Sequence, residues 1–242
     1  MATIMLVHGG GAGAWIWKFV TPLLRERGHD VYTTTMTGTG DRHHLLSNRV
    51  TLETNVTDVS SAIVAEDLTD CVLVGHSQSG AVLPGVSIVV SERLRSLVFL
   101  DAILLHAGEA IGEAVGYFTT EQCADLAEKV RSGDMPAELD ISGQQRESPN
   151  DMRVPVDPKR LEWMFERLTG LAALTMFAPV EVGTEAVSHP AAYVACTVSP
   201  MTMFHPRAKE LGWPVHSLDS DHACMVSEPE KTAALLDELA KP

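Results

Sequence analysis

The stretch CVLVGHSQSGAVLPGVSIVV, Cys71 to Val90, decides how the rest of the chain is read. Val72-Leu73-Val74 is an apolar run of the kind that forms a buried strand. Gly75-His76-Ser77-Gln78-Ser79-Gly80 follows without a spacer, and the small and apolar residues after it can pack as a helix. A strand, a tight turn and a helix in that order put the central serine at the tip of a strained bend, with its hydroxyl projecting out of the sheet. Residues two before and two after that serine must be small, because strand and helix pass close together there. Gly75 meets that demand. Ser79 departs from G-x-S-x-G, yet it is small and Gly80 follows it. Ser77 is therefore a candidate nucleophile. The pentapeptide alone would equally describe an ordinary Ser-Gly turn, and the flanking strand and helix are what distinguish it.

The chain has 242 residues and is 45% hydrophobic, enough for one sizeable α/β domain with an insertion. Lys plus Arg number 18 against 32 for Asp plus Glu, a net charge of −14. That acidity disfavours nucleic acid and anionic membrane surfaces as partners, and its plainest role is solubility. Cys71, Cys123, Cys196 and Cys224 lie far apart and match no metal-ligand spacing, which suits a reducing cytoplasm. A strand pattern, Thr3-Ile4-Met5-Leu6-Val7, opens the sequence, so no targeting segment is expected, and no apolar run reaches the roughly 18 residues of a membrane span.

Strand and helix patterns alternate along the chain. Strands are expected at about 2–7, 30–35, 72–74, 96–100, 191–196 and 214–218. Helices are expected at about 15–27, 52–66, 119–131, 158–168, 203–211 and 228–240. Continuous apolar strands joined by helices imply a mostly parallel sheet covered on both faces. Strand signals vanish between about 105 and 188. That segment reads as a helical cap (105–188) inserted into a core formed by 1–104 and 189–242.

A serine hydroxyl needs a base. Of ten histidines, His222 in Ser220-Asp221-His222-Ala223 is best placed, between the last strand and the last helix. His8 belongs to the first loop and His76 adjoins the serine. His43 and His44 follow Asp41 on a polar loop, where two adjacent histidines are more often surface residues than metal ligands. A histidine base needs a carboxylate to fix its tautomer. The strand at 191–196 leads into Thr197-Val198-Ser199-Pro200, which has none. Asp101 ends the apolar strand Val98-Phe99-Leu100, where its charge needs a reason. Asp101 is taken as the acid, with Asp219 and Asp221 as competitors that lie near enough to His222 to shape its loop instead. An oxyanion hole would draw on the Gln78 N–H and on the glycine loop His8-Gly9-Gly10-Gly11, with Gly10 as the second donor. That loop also fits G-x-G-x-x-A, from Gly9 to Ala14. A dinucleotide site would want an acidic residue near the end of the second strand, where this chain has Tyr32-Thr33-Thr34-Thr35-Met36, so no cofactor is expected.

Taken together, these motifs resemble the α/β-hydrolase superfamily, and most of all its branch of plant hydroxynitrile lyases, plant methylesterases and small bacterial esterases. The likeness runs through Leu6 to Val31 with Ala14-Trp15-Ile16-Trp17, through Gly38-Thr39-Gly40-Asp41-Arg42, and through the blocks VFLDAIL and SDHACMVSEPEKTAALL. It implies an α/β-hydrolase fold, a triad of Ser77, His222 and Asp101, and an oxyanion hole of Gly10 and Gln78. Ser199 stands where plant members carry the acid, and Asp101 where some bacterial relatives place theirs. Lyases of the branch carry a lysine directly after the histidine and a threonine in the oxyanion loop. Ala223 and Gly9-Gly10 point instead to ester hydrolysis, and Ser77 excludes the aspartate nucleophile of dehalogenases. The expected substrate is a small neutral carboxylic or carbamic ester, of methyl ester or methyl carbamate type. Cyanohydrin cleavage and ligand reception are the alternatives. No metal is expected, and the only macromolecular partner allowed for is a second copy of the chain. Trp163, Met164, Phe165, Met176 and Phe177 of the cap are pocket candidates, although each singly is more readily assigned to the cap's own core.

Overall fold

In a computed structural model, residues 1–140 and 157–241 are described; the rest of the polar stretch within the expected cap lies outside them. Six strands form one parallel sheet: β1 (Thr3–Val7), β2 (Asp30–Thr34), β3 (Cys71–His76), β4 (Leu94–Leu100), then β7 (Ala191–Val198) and β8 (Val215–Asp221). Between these last pairs of strands, β5 (Glu138–Leu139) and β6 (Leu171–Ala172) form a separate antiparallel pair that no sequence signal announced. The main order is β2-β1-β3-β4-β7-β8. This is the α/β-hydrolase fold with a mostly parallel sheet.

Side chains alternate across the sheet, so each strand feeds two cores. Met5, Val7, Leu73, Leu97, Phe99 and Tyr193 pack on one face. Ile4, Leu6, Val72, Val74, Val98 and Val194 pack on the other, where Trp17 and Leu24 also lie. Every residue of β3 is buried, which is why its sequence reads as an unbroken apolar run rather than an alternation. A third, smaller cluster gathers Cys123, Ala127, Val130, Leu174 and Phe177 of the 105–188 segment.

Most expected elements appear with shifted ends. The helix expected at 15–27 is a 3-10 turn, Ala14–Phe19, followed by an α-helix, Val20–Glu26. The helix expected at 203–211 is likewise a turn, Pro200–Phe204, leading into His205–Glu210, with Pro206 in the first turn. The last strand continues three residues past its apolar stretch, to Asp221.

The topology positions the site. Strand order reverses between β1 and β3, and ligands bind beyond the carboxyl ends of strands at such a switch point. The registers pair Val7 with Gly75, His76 with Leu100, Leu100 with Val194, and Val198 with Asp221. Ser77, Asp101 and His222 each follow the last residue of a strand, so all three emerge on one edge of the sheet.

Candidate active site

Ser77 occupies the turn between β3 and the helix Leu83–Val89, with φ of +55°. A non-glycine residue in the left-handed region costs of order 1–3 kcal/mol and persists only where its surroundings impose it. Here the surroundings are tight. A Cβ on Gly75 would lie 1.9 Å from Leu83 Cδ1, and one on Gly80 would lie 2.3 Å from the Ile103 carbonyl oxygen. Ser79, the departure from the glycine pattern, is fully buried and its hydroxyl donates to the His76 carbonyl at 2.8 Å. The strict demand for glycine therefore falls on residues 75 and 80. Gly80→Ala is expected to destabilise more than Gly75→Ala, because a leucine side chain can move and a backbone carbonyl cannot. Both should cost of order 1–3 kcal/mol in denaturant melts, and equal costs would show that the close approach to Ile103 is not rigid.

His222 Nε2 lies 3.0 Å from Ser77 Oγ, and His222 Nδ1 lies 2.6 Å from Asp101 Oδ2. An ionised carboxylate only accepts, so Nδ1 carries the proton and Nε2 is left to accept from the serine hydroxyl. Asp101 is fully buried at φ +45°, a region aspartate tolerates better than most residues. Burial alone would raise its carboxyl. Hydrogen bonds from His222, from the Ser199 hydroxyl and from the Cys196 N–H outweigh it and hold Asp101 below the usual carboxylate range. The competing carboxylates are engaged elsewhere. Asp219 pairs with Lys231 at 3.4 Å. Asp221 accepts from the Ala223 N–H and the Ser227 hydroxyl at 2.9 and 2.8 Å, and so shapes the turn that carries His222.

Three other histidines, His8, His76 and His43, are bonded away from the serine. His8 Nδ1–H donates to the Gly9 carbonyl at 2.7 Å while Nε2 accepts from the Met36 N–H at 3.0 Å, which pins the glycine loop. Burial pushes His8 down to about 4. His76 Nε2–H donates to the His222 carbonyl at 2.8 Å, and burial takes its ring down to about 3. His76→Ala is expected to leave the acid limb of the pH–rate profile in place, since a ring neutral above about 3 is not the group whose protonation switches activity off. Disappearance of that limb in His76→Ala would reassign the base. His43 is bonded to Glu138 at 2.9 Å, and no cluster of three or more His, Cys, Asp or Glu side chains able to hold a metal occurs among the described residues.

The glycine loop crosses directly over the serine. A Cβ on Gly9 would lie 2.8 Å from Ser77 Cβ, and one on Gly10 would lie 2.8 Å from Gln78 Oε1. Gln78 is the second residue of the 3-10 turn Ser77–Ala81, where N–H groups have no partner within the turn. Its side chain donates to Thr175 Oγ1 at 2.8 Å and thereby ties the turn to the helix Ala173–Phe177. Thr175 was not anticipated, because a threonine inside an apolar helix carries no motif.

A cavity of about 330 Å³ opens above Ser77 and His222. Met164, Phe165 and Met176 line it, as do Ile111, Leu171, Met201 and Met225, which sequence patterns did not single out. Trp163 and Phe177 are placed elsewhere, which corrects the expectation for those two. Trp163 packs edge-on against Trp15 and Phe19 at 5.3 and 5.0 Å, and Phe177 packs against Phe118 at 5.4 Å. Among the described residues, no Asp, Glu, Lys or Arg side chain lines this cavity. A hollow of about 550 Å³ at the β2 edge, beside Arg25, His29 and Asp30, contains none of the residues above.

A parallel sheet with a serine at its switch point, faced by a histidine and a buried aspartate, defines the class to compare with. The chain belongs to the Alpha/beta hydrolase family, whose model matches residues 4–235. It is 33% identical over 246 residues to the carbendazim hydrolyzing esterase of a Nocardioides species, covering 99% of this chain and 100% of that one. It is 26% identical to methylesterase 3 of Arabidopsis thaliana, covering 98% and 95%. Among solved structures, an extracellular alpha/beta-hydrolase from a Paenibacillus species superposes with a TM-score of 0.81 at 24% identity over the whole of both chains. An Arabidopsis methylesterase, MES16, superposes at 0.73 with 21% identity, covering 99% of this chain and 98% of that one. The chain is an esterase-type hydrolase of this family.

Proposed function

We propose that the protein hydrolyses a small neutral carboxylic or carbamic ester, of the methyl ester or methyl carbamate type, through a covalent enzyme on Ser77. The observation that carries this reading is the unbroken hydrogen-bond chain from Ser77 through His222 to Asp101, beneath a cavity to which the described residues contribute no Asp, Glu, Lys or Arg side chain. His222 takes the hydroxyl proton as Ser77 Oγ attacks the carbonyl carbon, and the Gly10 and Gln78 N–H groups receive the oxyanion. Collapse of the tetrahedral adduct expels the alcohol, which leaves with the proton from His222. Water, deprotonated by the same ring, then releases the acid or the carbamic acid. The carbamate option is supported by the Nocardioides relative, whose name states carbendazim hydrolysis.

Within this proposal, 105–188 serves as a cap over the sheet edge, and the four buried, unbridged cysteines fit a reducing cytoplasmic setting. No helix among the described residues is long and apolar enough to cross a membrane. Homodimerisation is left to a sedimentation measurement. A substrate panel tests the assignment. Methyl and aryl esters and N-aryl methyl carbamates should turn over, whereas matched substrates bearing a carboxylate should lose at least about tenfold in kcat/KM for want of a cationic partner. Release of cyanide from cyanohydrins without ester turnover would favour lyase chemistry, and stoichiometric binding without turnover would favour a receptor.

A further inference from the structure

Asp101 has no exposed surface, so water supplies none of the donors its carboxylate needs. Oδ1 accepts the Cys196 N–H at 3.1 Å. Oδ2 accepts two hydrogens, one from His222 Nδ1 at 2.6 Å and one from the Ser199 hydroxyl. Ser199 starts the turn Pro200–Phe204, and its Oγ accepts the Met201 N–H at 2.9 Å. A hydroxyl has one hydrogen. With Met201 supplying a hydrogen to Oγ, the hydrogen of Ser199 itself is directed at Asp101. Ser199 is thus held from behind by the turn it begins and aimed at the oxygen that faces His222.

We infer that Ser199 is a positioning residue of the triad, whose hydroxyl fixes the Asp101 carboxylate and shares its charge on the oxygen that holds His222. The inference rests on the assignment of Ser77, His222 and Asp101 proposed above. Loss of the hydroxyl has two consequences. The carboxylate gains freedom to rotate, so the ring is less often aligned with Ser77 and the rate falls. More negative charge also remains on Oδ2, which stabilises the imidazolium, so the base stays protonated to higher pH.

Since the protonated ring is inactive, the acid limb of kcat/KM moves upward. The groups facing this pair do not mimic that movement, with one exception. His76, packed 4.6 Å from the His222 ring, is held near 3 by burial. His205 is lowered by burial, while Tyr193 and the Cys196 thiol are raised and stay neutral. The exception is Asp221, raised by burial, which can titrate on the acid side.

The test is the pH profile of kcat/KM for Ser199→Ala and Ser199→Thr, each also measured with Asp221→Asn to remove the competing titration. Ser199→Ala is expected to lose about tenfold at the plateau, with its acid limb raised by about half a unit. Ser199→Thr, which keeps the hydroxyl, should restore both to within about threefold and a tenth of a unit. Should the alanine variant not fold, Ser199→Gly provides the same loss of hydroxyl, since glycine at a helix start costs only a few tenths of a kcal/mol. An unmoved limb, with or without a lower plateau, overturns the inference and leaves Ser199 as the start of a turn. Asp101→Asn separates the two levels of the argument. Full activity there removes the triad assignment itself, whereas an inactive Asp101→Asn beside an unaffected Ser199→Ala removes only the role of Ser199.

Discussion

Ser77→Ala is expected to abolish ester hydrolysis while leaving the fold intact. Loss of the serine in a comparable triad lowers kcat by about 10⁶-fold, because the attacking oxygen and its proton relay vanish together. The substitution removes one oxygen that points at His222 Nε2 at 3.0 Å and leaves the close packing of Gly75 and Gly80 untouched. The strained φ of +55° stays as it was, since alanine pays the same backbone cost as serine there. Circular dichroism and the melting midpoint should therefore match the parent. Turnover near the parental rate in a folded Ser77→Ala protein would remove the nucleophile from the mechanism.

The second large effect is expected from Asp101→Asn, at about 10⁴-fold in kcat by analogy with the serine proteases. Asparagine preserves the shape but offers an amide N–H toward Nδ1, which favours the tautomer with the proton on Nε2. That ring cannot accept from Ser77. Asp219→Asn and Asp221→Asn should each cost far less, because those carboxylates hold Lys231 and the Ala223 turn. Asp101→Asn should also change the pH dependence of stability. A carboxylate held below its unfolded value contributes stability above the ordinary carboxylate range near 3.9 and loses it as pH falls through the folded value. The variant should accordingly lose that part of its acid sensitivity, read as a smaller drop in melting midpoint between neutral and acid pH. A rate for Asp101→Asn within about tenfold of the parent would redirect attention to Asp219 and Asp221.

How much of this was readable in advance follows from where the physics is local. The elbow was legible because its constraints are consecutive: an apolar strand, small residues on either side of Ser77, and a helix-forming run after it. Asp101 was legible because a carboxylate closing Val98-Phe99-Leu100 cannot be left without donors, even though those donors, Cys196 and Ser199, come from nearly a hundred residues away. The cavity wall was legible only in part: Met164, Phe165 and Met176 line it, and Trp163 and Phe177 do not. Successive helical residues point about 100° apart, so Trp163-Met164-Phe165 cannot all face one hollow, and nothing in the triplet says which one turns away. The choice was made by Trp15 and Phe19, whose rings pack edge-on against Trp163. Phe177 went to the small cluster around Phe118 for a similar reason. Met201 and Met225 entered the wall because Met201 lies in the turn that Ser199 begins and Met225 in the short helix just after His222, a consequence of topology rather than of pattern.

The central claim is that Ser77 becomes covalently attached to substrate. Intact-mass spectrometry after brief incubation with an N-aryl methyl carbamate or an alkyl fluorophosphonate reads this directly. The account predicts one adduct of the acyl, carbamoyl or phosphonyl mass, mapped to the peptide carrying Ser77, formed by the parent and by His76→Ala and absent from Ser77→Ala. Turnover of esters with no such adduct, or an adduct that persists in Ser77→Ala, would contradict it.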